Sequence, residues 1–207
     1  LEELINIVTS EIGTLTNTNR LSNTFKSEKR SSISYDTVKD YIEYLCDSFI
    51  VEKTERYDVK GKNYINSLHK YYFMDLGLRN ARLNFRQFEK THLLENLIYN
   101  ELRMRGYNID VGVVPSVIRN KDGNQQRANY EIDFVCNAGS KRYYIQSAYR
   151  MESEDKIKQE KTSLLKVDDS FKKIIVVGDE MPVTRDDNGI TIINIYDFLL
   201  KSNSLEL

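Results

Sequence analysis

The sequence has few of the residues that are typical of disulfide-bonded, secreted or membrane-spanning proteins. Its 207 residues include two cysteines, two prolines, two histidines and no tryptophan, and they contain no apolar run long enough to cross a bilayer. Cys46 and Cys136 show neither CxxC nor Cys/His spacing, which argues against a disulfide framework or a zinc site. The N-terminus lacks the pattern of a signal peptide. We therefore expect a cytoplasmic protein without membrane contact.

The sequence also lacks an excess of charge of one sign. Its 30 Lys and Arg residues balance 31 Asp and Glu residues, for a formal net charge of -1. The whole molecule therefore does not attract nucleic acid, and only local basic patches could bind it. His69 and His92 have no nucleophile next to them, which gives no support for a catalytic triad. Since the chain begins with Leu1 rather than Met, we expect it to be a piece of a longer protein.

Apolar residues recur at helical spacing in three short segments at the start of the chain. The third segment, SYDTVKDYIEYLCDSFI, has Ser34 as its expected N-cap. Its apolar face is predicted to consist of Val38, Ile42, Leu45 and Phe49. A β-rich run follows, turns at Gly61 and returns near KYYFMD. Three helices followed by a two-stranded wing predict a winged helix over residues 1–80.

A different order of elements follows from about residue 90. The patterns predict a long helix, strands near residues 108–114, 130–136 and 142–149, a polar helix, another strand, and a late extra strand before the closing helix. This αβββαβ order predicts an α+β protein whose mixed sheet is flanked by helices. It is the order of a restriction-endonuclease-like, PD-(D/E)xK core, which we assign to residues 81–207.

The segments NYEIDFVC and YYIQSAY form a predicted hairpin of that core. Nucleases of this architecture hold Mg²⁺ with carboxylates from adjacent strands, in the pattern Asp and then Glu-x-Lys, and use the lysine to stabilise charge. Asp133 takes the first position, and strand alternation puts Gln146 and Ala148 at the Glu and Lys positions. A further glutamate is expected from the preceding helix, where Glu95 borders the apolar stripe. The sequence thus predicts a vestigial catalytic site of Glu95, Asp133 and Gln146.

Two substitutions argue against catalysis at this site. The amide of Gln146 removes an anionic ligand, so metal binding through Asp133 and Glu95 should be weak or absent. The missing lysine removes a cation that is worth about 3 kcal/mol by analogy with other electrostatic stabilisers. A migrated cation from Arg150, Lys158 or Lys161 would restore that role. A degenerate site is therefore favoured, and an active nuclease stays open as the alternative.

Five blocks of the sequence also match a family. They are, in order, LLENLIYNELRMRGY, EIDFVC, YYIQSAY, QEKTSLLKVDDSFKKIIVVGD and GITIINIYDFLL. Together they resemble the C-terminal domain of unknown function of predicted prokaryotic AAA-type ATPases. The preceding DVKGKNYINSLHKYYFMDLGLRNA resembles the winged-helix segment of the same family, so the resemblance covers nearly the whole chain.

The resemblance implies an ATPase module upstream of a winged helix and a nuclease-like domain that is often degenerate. Its helix glutamate falls on Glu95 and its strand aspartate on Asp133, whereas its Glu and Lys positions fall on Gln146 and Ala148. No GxxxxGK[ST] motif occurs in these residues. We therefore expect no cofactor in this fragment, with ATP and Mg²⁺ bound by the missing module.

The charges of the predicted winged helix do not favour the usual docking of its third helix. That helix carries a stripe of four carboxylates opposite its apolar face: Asp36, Asp40, Glu43 and Asp47. These carboxylates would meet phosphate in a major groove. The candidate nucleic-acid contacts are instead four cations of the wing: Lys53, Arg56, Lys60 and Lys62. An ordinary solvated surface is the simpler interpretation of these charges.

These observations favour a non-catalytic nucleic-acid- or protein-binding module in the C-terminal region of an AAA-type ATPase. Its expected partners are its own upstream ATPase module and DNA through the wing, and homo-oligomerisation is left open. A Mg²⁺-dependent DNA or RNA endonuclease is the first alternative. A winged-helix DNA-binding regulator is the second, and the acidic third helix argues against it.

Overall fold

The structure is a computed structural model that describes residues 2–29, 33–119 and 123–207. The chain divides into an N-terminal unit of residues 1–55 and 66–100, and a C-terminal unit of residues 56–65 and 101–207. The described residues form seven α-helices, one short 3₁₀ helix and an eight-stranded mixed sheet. The expected combination of helices with a mixed sheet is therefore confirmed.

The N-terminal unit begins with three helices: α1 (Glu2–Ser10), α2 (Thr18–Lys29) and α3 (Tyr35–Asp47). Ser34 is the N-cap of α3 as predicted, because its Oγ accepts the N–H of Thr37 at 3.0 Å and so satisfies one amide that the first turn leaves free. The apolar faces of the helices and the two strands that follow form one core: Leu4, Ile7, Val8, Ile12, Leu21, Phe25, Val38, Ile42, Leu45, Val51, Tyr71 and Phe73.

The prediction that Phe49 lies on the buried face of α3 is wrong. Val38, Ile42 and Leu45 are buried, but Phe49 is 82% exposed. The helix ends at Asp47, and Phe49 has a positive φ of 55°. Helical spacing predicts a shared face only while the helix continues, and here the chain has already turned toward the next strand.

A hairpin of β1 (Val51–Asp58) and β2 (Asn63–Phe73) follows the helices. Its turn is held by Asp58, whose Oδ1 accepts the N–H of Gly61 at 2.8 Å. A Cβ at Gly61 would lie 2.6 Å from Asp58 Oδ2, so a larger residue would require the Asp58 side chain that holds the turn to move. The helices α4 (Leu76–Arg82) and α5 (Lys90–Met104) come next.

The C-terminal unit is built on the sheet. Its further strands are β3 (Asn108–Arg119), β4 (Gln125–Ala138), β5 (Lys141–Ala148), β6 (Lys172–Val177), β7 (Thr184–Arg185) and β8 (Thr191–Asn194). The strand order is β2-β1-β3-β4-β5-β6-β8-β7. Strands β3, β4 and β5 are antiparallel neighbours, whereas β5, β6 and β8 run parallel. The three strands expected after the long helix are present, and β3 and β4 extend well beyond the predicted range.

Two helices follow the parallel strands: α6 (Glu154–Leu165) connects β5 to β6, and α7 (Ile195–Leu200) follows β8. The parallel neighbours β5 and β6 require such a crossover connection, which α6 provides. Leu164 of α6 packs in a second core whose other fully buried members include Val135, Tyr144, Ala148 and Ile175. This core covers one face of β5. Tyr144, Gln146 and Ala148 all lie on that face, because residues at a spacing of two share one side of a strand.

The tip of the β1–β2 hairpin belongs to the C-terminal unit. Residues Arg56 to Asp58 pair in parallel with Val111 to Val113 of β3, and Val59 is buried in the second core. The units are therefore not continuous in sequence, and the boundary at residue 80 stays a prediction. Cys46 and Cys136 are both free thiols. No helix of the described residues has the length and apolar character needed to span a membrane.

Candidate functional site

Asp133 and Gln146 lie on the adjacent antiparallel strands β4 and β5, as predicted. The paired register of these strands runs from Ala138 opposite Lys141 to Phe134 opposite Ile145. It ends one residue before Asp133 and Gln146. At the same place the register of β4 against β3 shifts by one residue, between Val135 opposite Asp110 and Ile132 opposite Gly112. Such a β-bulge re-aims side chains relative to the regular pleat.

The carboxylate of Asp133 binds the backbone of β5. Its Oδ2 accepts the N–H of Ser147 at 2.8 Å, and the residue is only 7% exposed. The carboxylate thus takes the place of a backbone carbonyl of β4 as the acceptor for this N–H of β5. Asp133 consequently holds together the two strands on which the candidate site lies.

The two positions expected to carry a ligand and a cation on β5 have other surroundings. Gln146 is half-buried, and its Oε1 accepts a long hydrogen bond of 3.4 Å from Ser163 Oγ on α6. Ala148 is 1% exposed and belongs to the apolar second core. A side chain at this position therefore meets hydrocarbon rather than an open metal or phosphate site.

Glu95 lies in the N-terminal unit, inside a buried polar network. Its Oε1 accepts hydrogen bonds from Lys70 Nζ at 2.8 Å and from Tyr72 Oη at 2.7 Å. The Lys70 and Glu95 side chains are only 4% and 8% exposed. Tyr72 also stacks on Tyr99 at 4.1 Å between ring centroids. Glu95 is thus the anion of a buried ion pair with a β2 lysine.

Gly13 makes room for this network. Its φ is +69°, and a Cβ there would lie 3.3 Å from Glu95 Oε2. Its N–H donates to Tyr71 O at 3.3 Å, beside Tyr72 of the network. A side chain at residue 13 would therefore be strained in its own backbone and crowded against the carboxylate.

The predicted metal ligands belong to different units. Glu95 lies in the N-terminal unit and Asp133 in the C-terminal unit, and each already accepts hydrogen bonds from its own surroundings. Within residues 2–29, 33–119 and 123–207, no group of three or more His, Cys, Asp or Glu side chains is arranged to hold a metal ion. Metal binding through these two residues stays a prediction.

The candidates for a migrated cation have different environments. Arg150 is exposed and pairs with Glu152 at 2.8 Å and Asp179 at 3.6 Å. Lys161 is largely buried and pairs with Asp186 at 2.8 Å. Lys158 is exposed on α6. Two of the three cations thus already have carboxylate partners within the C-terminal unit.

The cations of the hairpin are unequally accessible. Lys60 and Lys62 are exposed at the turn, whereas Arg56 lies in the segment of β1 that pairs with β3. Lys53 is exposed and 3.8 Å from Glu55. All four carboxylates of the α3 stripe are exposed, as their spacing predicted: Asp36, Asp40, Glu43 and Asp47.

Sequence reasoning did not identify the partners of the two acids. Lys70 and Tyr72 lie on one face of β2 at a spacing of two, but nothing local indicates that a glutamate 25 positions beyond Lys70 is their partner. Ser147 could not be found either, because it contributes its backbone N–H rather than its side chain. The available signal for the ion pair was the position of Lys70 directly before the run Tyr71 to Phe73 of a strand, because a lysine that is buried with such a run needs a partner of opposite charge.

Comparison with known proteins places the chain in a family. Residues 90–198 match the model of a domain of unknown function, DUF4143, and the chain belongs to this family. Residues 1–89 match the model of a second domain of unknown function, DUF8612. The two models meet between β2 and α5, after α4.

Two longer proteins are similar to nearly the whole chain. An uncharacterised protein of Haemophilus influenzae is 31% identical over 201 residues, which are 97% of this chain and 46% of that protein. An uncharacterised protein of Methanocaldococcus jannaschii is 31% identical over 184 residues, which are 86% of this chain and 37% of that protein. The chain therefore spans less than half the length of these relatives. No solved structure matches the chain.

Proposed function

We propose that the chain is the C-terminal region of an AAA-type ATPase and acts there as a non-catalytic module that binds nucleic acid or protein. In this proposal residues 1–80 are a winged helix and residues 81–207 are a degenerate restriction-endonuclease-like domain. ATP and Mg²⁺ would be bound by an upstream module. The greater length of both relatives leaves room for such a module in those proteins.

The environment of β5 is the observation that carries the non-catalytic part of the proposal. Gln146 offers a neutral amide where Mg²⁺ prefers an anionic oxygen. Ala148, where a lysine would stabilise the developing charge, is buried in the apolar core. Asp133 already accepts a backbone N–H. Losing the cation alone should cost about 10²-fold or more in rate.

The order of elements supports the winged-helix part. Three helices precede a two-stranded hairpin, and the exposed carboxylates of α3 oppose insertion of that helix into a groove. Lys60 and Lys62, at the exposed turn, are the cations best placed to meet phosphate. The same acidic face of α3 would fit a basic protein surface, such as one on the ATPase module.

A nuclease assay tests the absence of catalysis. We expect no cleavage of single-stranded, duplex or branched DNA with Mg²⁺ or Mn²⁺, beyond that of an Asp133→Ala control prepared in the same way. Cleavage that is lost in Asp133→Ala would contradict the proposal and favour the nuclease alternative. Variants of Arg150, Lys158 and Lys161 would then identify the cation that replaced the lysine.

Restoring the ligands tests whether the site is degenerate. Gln146→Glu should raise Mn²⁺ affinity, measured by calorimetry, if Asp133 can still turn toward the metal. Gln146→Glu with Ala148→Lys adds the cation, but a lysine at the buried residue 148 should also lower stability. The single variant therefore keeps the test informative if the double variant does not fold.

The ATPase assignment has a separate test. The coding sequence upstream of Leu1 should contain a GxxxxGK[ST] motif, whose glycine-rich backbone cradles phosphates and whose lysine reaches them. An upstream sequence without any nucleotide-binding motif would contradict the assignment and leave the module without its ATPase.

A further inference from the structure

The outer halves of β3 and β4 form a two-stranded ribbon. β3 pairs with β1 only through Val111 to Val113, and β4 pairs with β5 only from Phe134 onward. The segments 114–119 and 125–130 pair with each other in register, from Val114 opposite Tyr130 to Arg119 opposite Gln125. Six residue pairs at about 3.3 Å each give a ribbon roughly 20 Å long. We call these two segments the ribbon.

One face of the ribbon carries two arginines. Val117 lies opposite Arg127, and Arg119 lies opposite Gln125. Since side chains alternate along each strand, all four lie on the same face. Arg119 and Arg127 are then diagonal neighbours, about 7 Å apart at their Cβ atoms. The two guanidinium groups therefore repel each other in the free protein, and an anion between them would relieve that repulsion.

No acidic residue lies within the two ribbon segments, and the first carboxylate along β4 on this face is Glu131, which lies opposite Val113 at the base of the ribbon. Arg119, Arg127, Gln125 and Val117 are all exposed, with Val117 at 61%. Within the two segments that define the ribbon, Arg119 and Arg127 are the charged residues and none is acidic. The local positive charge contrasts with a net charge of -1 for the whole chain.

The other exposed side chains suit the edges of bases. Gln125 and Asn129 lie on the arginine face, and an amide can both donate and accept hydrogen bonds in a major groove. Val117, exposed opposite Arg127, can contact a thymine methyl group. The major groove of B-form DNA is about 12 Å wide and admits a two-stranded ribbon, whereas that of duplex RNA is too narrow.

We propose that the Arg119 and Arg127 face of the ribbon binds duplex DNA. The proposed contact residues do not include the lysines of the β1–β2 turn. The inference deepens the proposed function by naming the partner and the contacting face of the binding module. It rests on the proposed function in one respect, namely that the module binds nucleic acid without cleaving it.

The ribbon contact is tested with a fluorescein-labelled 20-base-pair DNA duplex, measured by anisotropy over a series of salt concentrations. Arg119→Ala with Arg127→Ala should weaken binding about tenfold or more at low salt. Since each lost phosphate contact reduces the slope of log affinity against log salt by about 0.9, the slope should fall by about 2. A duplex RNA of the same sequence should bind more weakly than the DNA.

Two matched controls separate this contact from general charge effects. Arg86→Ala with Lys201→Ala removes two exposed cations elsewhere and should change affinity less than threefold. Val117→Glu and Gln126→Glu add the same charge to opposite faces of the ribbon. Val117 is paired with Arg127 on the arginine face, whereas Gln126 and its partner Ile118 lie on the other face, because side chains alternate along each strand. Only Val117→Glu should weaken binding strongly. All these residues are exposed, so the melting temperatures should match that of the unmodified chain.

Several results would overturn the ribbon proposal. They are an absence of duplex binding by the unmodified chain, an unchanged affinity of the double arginine variant, or equal effects of the two glutamate variants. Binding that depends on Lys60 and Lys62 but not on the ribbon would overturn it while leaving the binding module intact. Metal-dependent cleavage by the chain would instead contradict the proposed function and leave the ribbon contact standing.

Discussion

Glu95 and Asp133 are carboxylates of almost equal burial, 6% and 7% exposed, but their anchors differ. Glu95, in the N-terminal unit, faces the ammonium group of Lys70 and the hydroxyl of Tyr72. Asp133, in the C-terminal unit, accepts a backbone N–H across the β4–β5 pair. The same chemical group thus serves as half of an ion pair in one unit and as a substitute for a strand hydrogen bond in the other. Burial of an acid alone therefore does not indicate a catalytic site.

The largest effect is expected from breaking the ion pair. Lys70→Met should lower the free energy of unfolding by about 3–5 kcal/mol, because it leaves Glu95 buried without its cation. Urea unfolding monitored by circular dichroism measures the change. Lys53→Met, which removes an exposed lysine from β1, is the matched control and should change stability by less than about 0.5 kcal/mol.

A double variant completes this test. Lys70→Met with Glu95→Gln removes both charges, keeps an acceptor for Tyr72, and should recover much of the lost stability. If Lys70→Met alone costs less than about 1 kcal/mol, Glu95 is not held by its lysine, and the contrast between the two acids fails.

A smaller effect is expected at Asp133. Asp133→Ala should cost about 1–3 kcal/mol, because the buried N–H of Ser147 loses its acceptor. Asp133→Asn keeps an oxygen at the same place and should retain most of the stability. If Asn is as damaging as Ala, the charge itself is required, and Asp133 would resemble Glu95 in needing a cation. Thermal and urea unfolding of both variants distinguish these outcomes.

The sequence predicted the elements that depend on local pattern. Ser34 and the apolar stripe of α3 identified that helix, and alternation in YYIQSAY located β5, because both signals depend on the backbone period alone. Phe49 was misplaced because nothing in its spacing shows that the helix has already ended. The ion pair between Lys70 and Glu95 was also missed, since it joins two elements across a connection whose path no local pattern determines. The pairing of β1 with β3 was missed for the same reason.

The smallest effect is expected at Asp186, which combines both kinds of anchor. Its Oδ2 pairs with Lys161 at 2.8 Å, and its Oδ1 accepts the N–H groups of Asn188 and Ile190. Burial opposes ionisation, but the ion pair with Lys161 and the backbone donors outweigh it, so the pKa of Asp186 lies below its ordinary value of 3.8. A lowered pKa stabilises the folded state above pH 3.8, and this contribution is lost as the pH falls through the folded-state pKa.

Asp186→Asn should therefore lower stability by no more than about 1 kcal/mol near pH 7, since the pair is partly solvated and the amide keeps an acceptor for the turn. The difference in melting temperature from the unmodified chain should shrink below about pH 4, where the native carboxylate begins to take up its proton. Asp187→Asn is the matched control, because it removes an exposed charge from the neighbouring residue. A difference for Asp186→Asn that persists unchanged at pH 2.5 would mean that turn geometry, and not the lysine, sets its effect. Asp186 would then resemble Asp133, as a carboxylate that accepts backbone N–H groups.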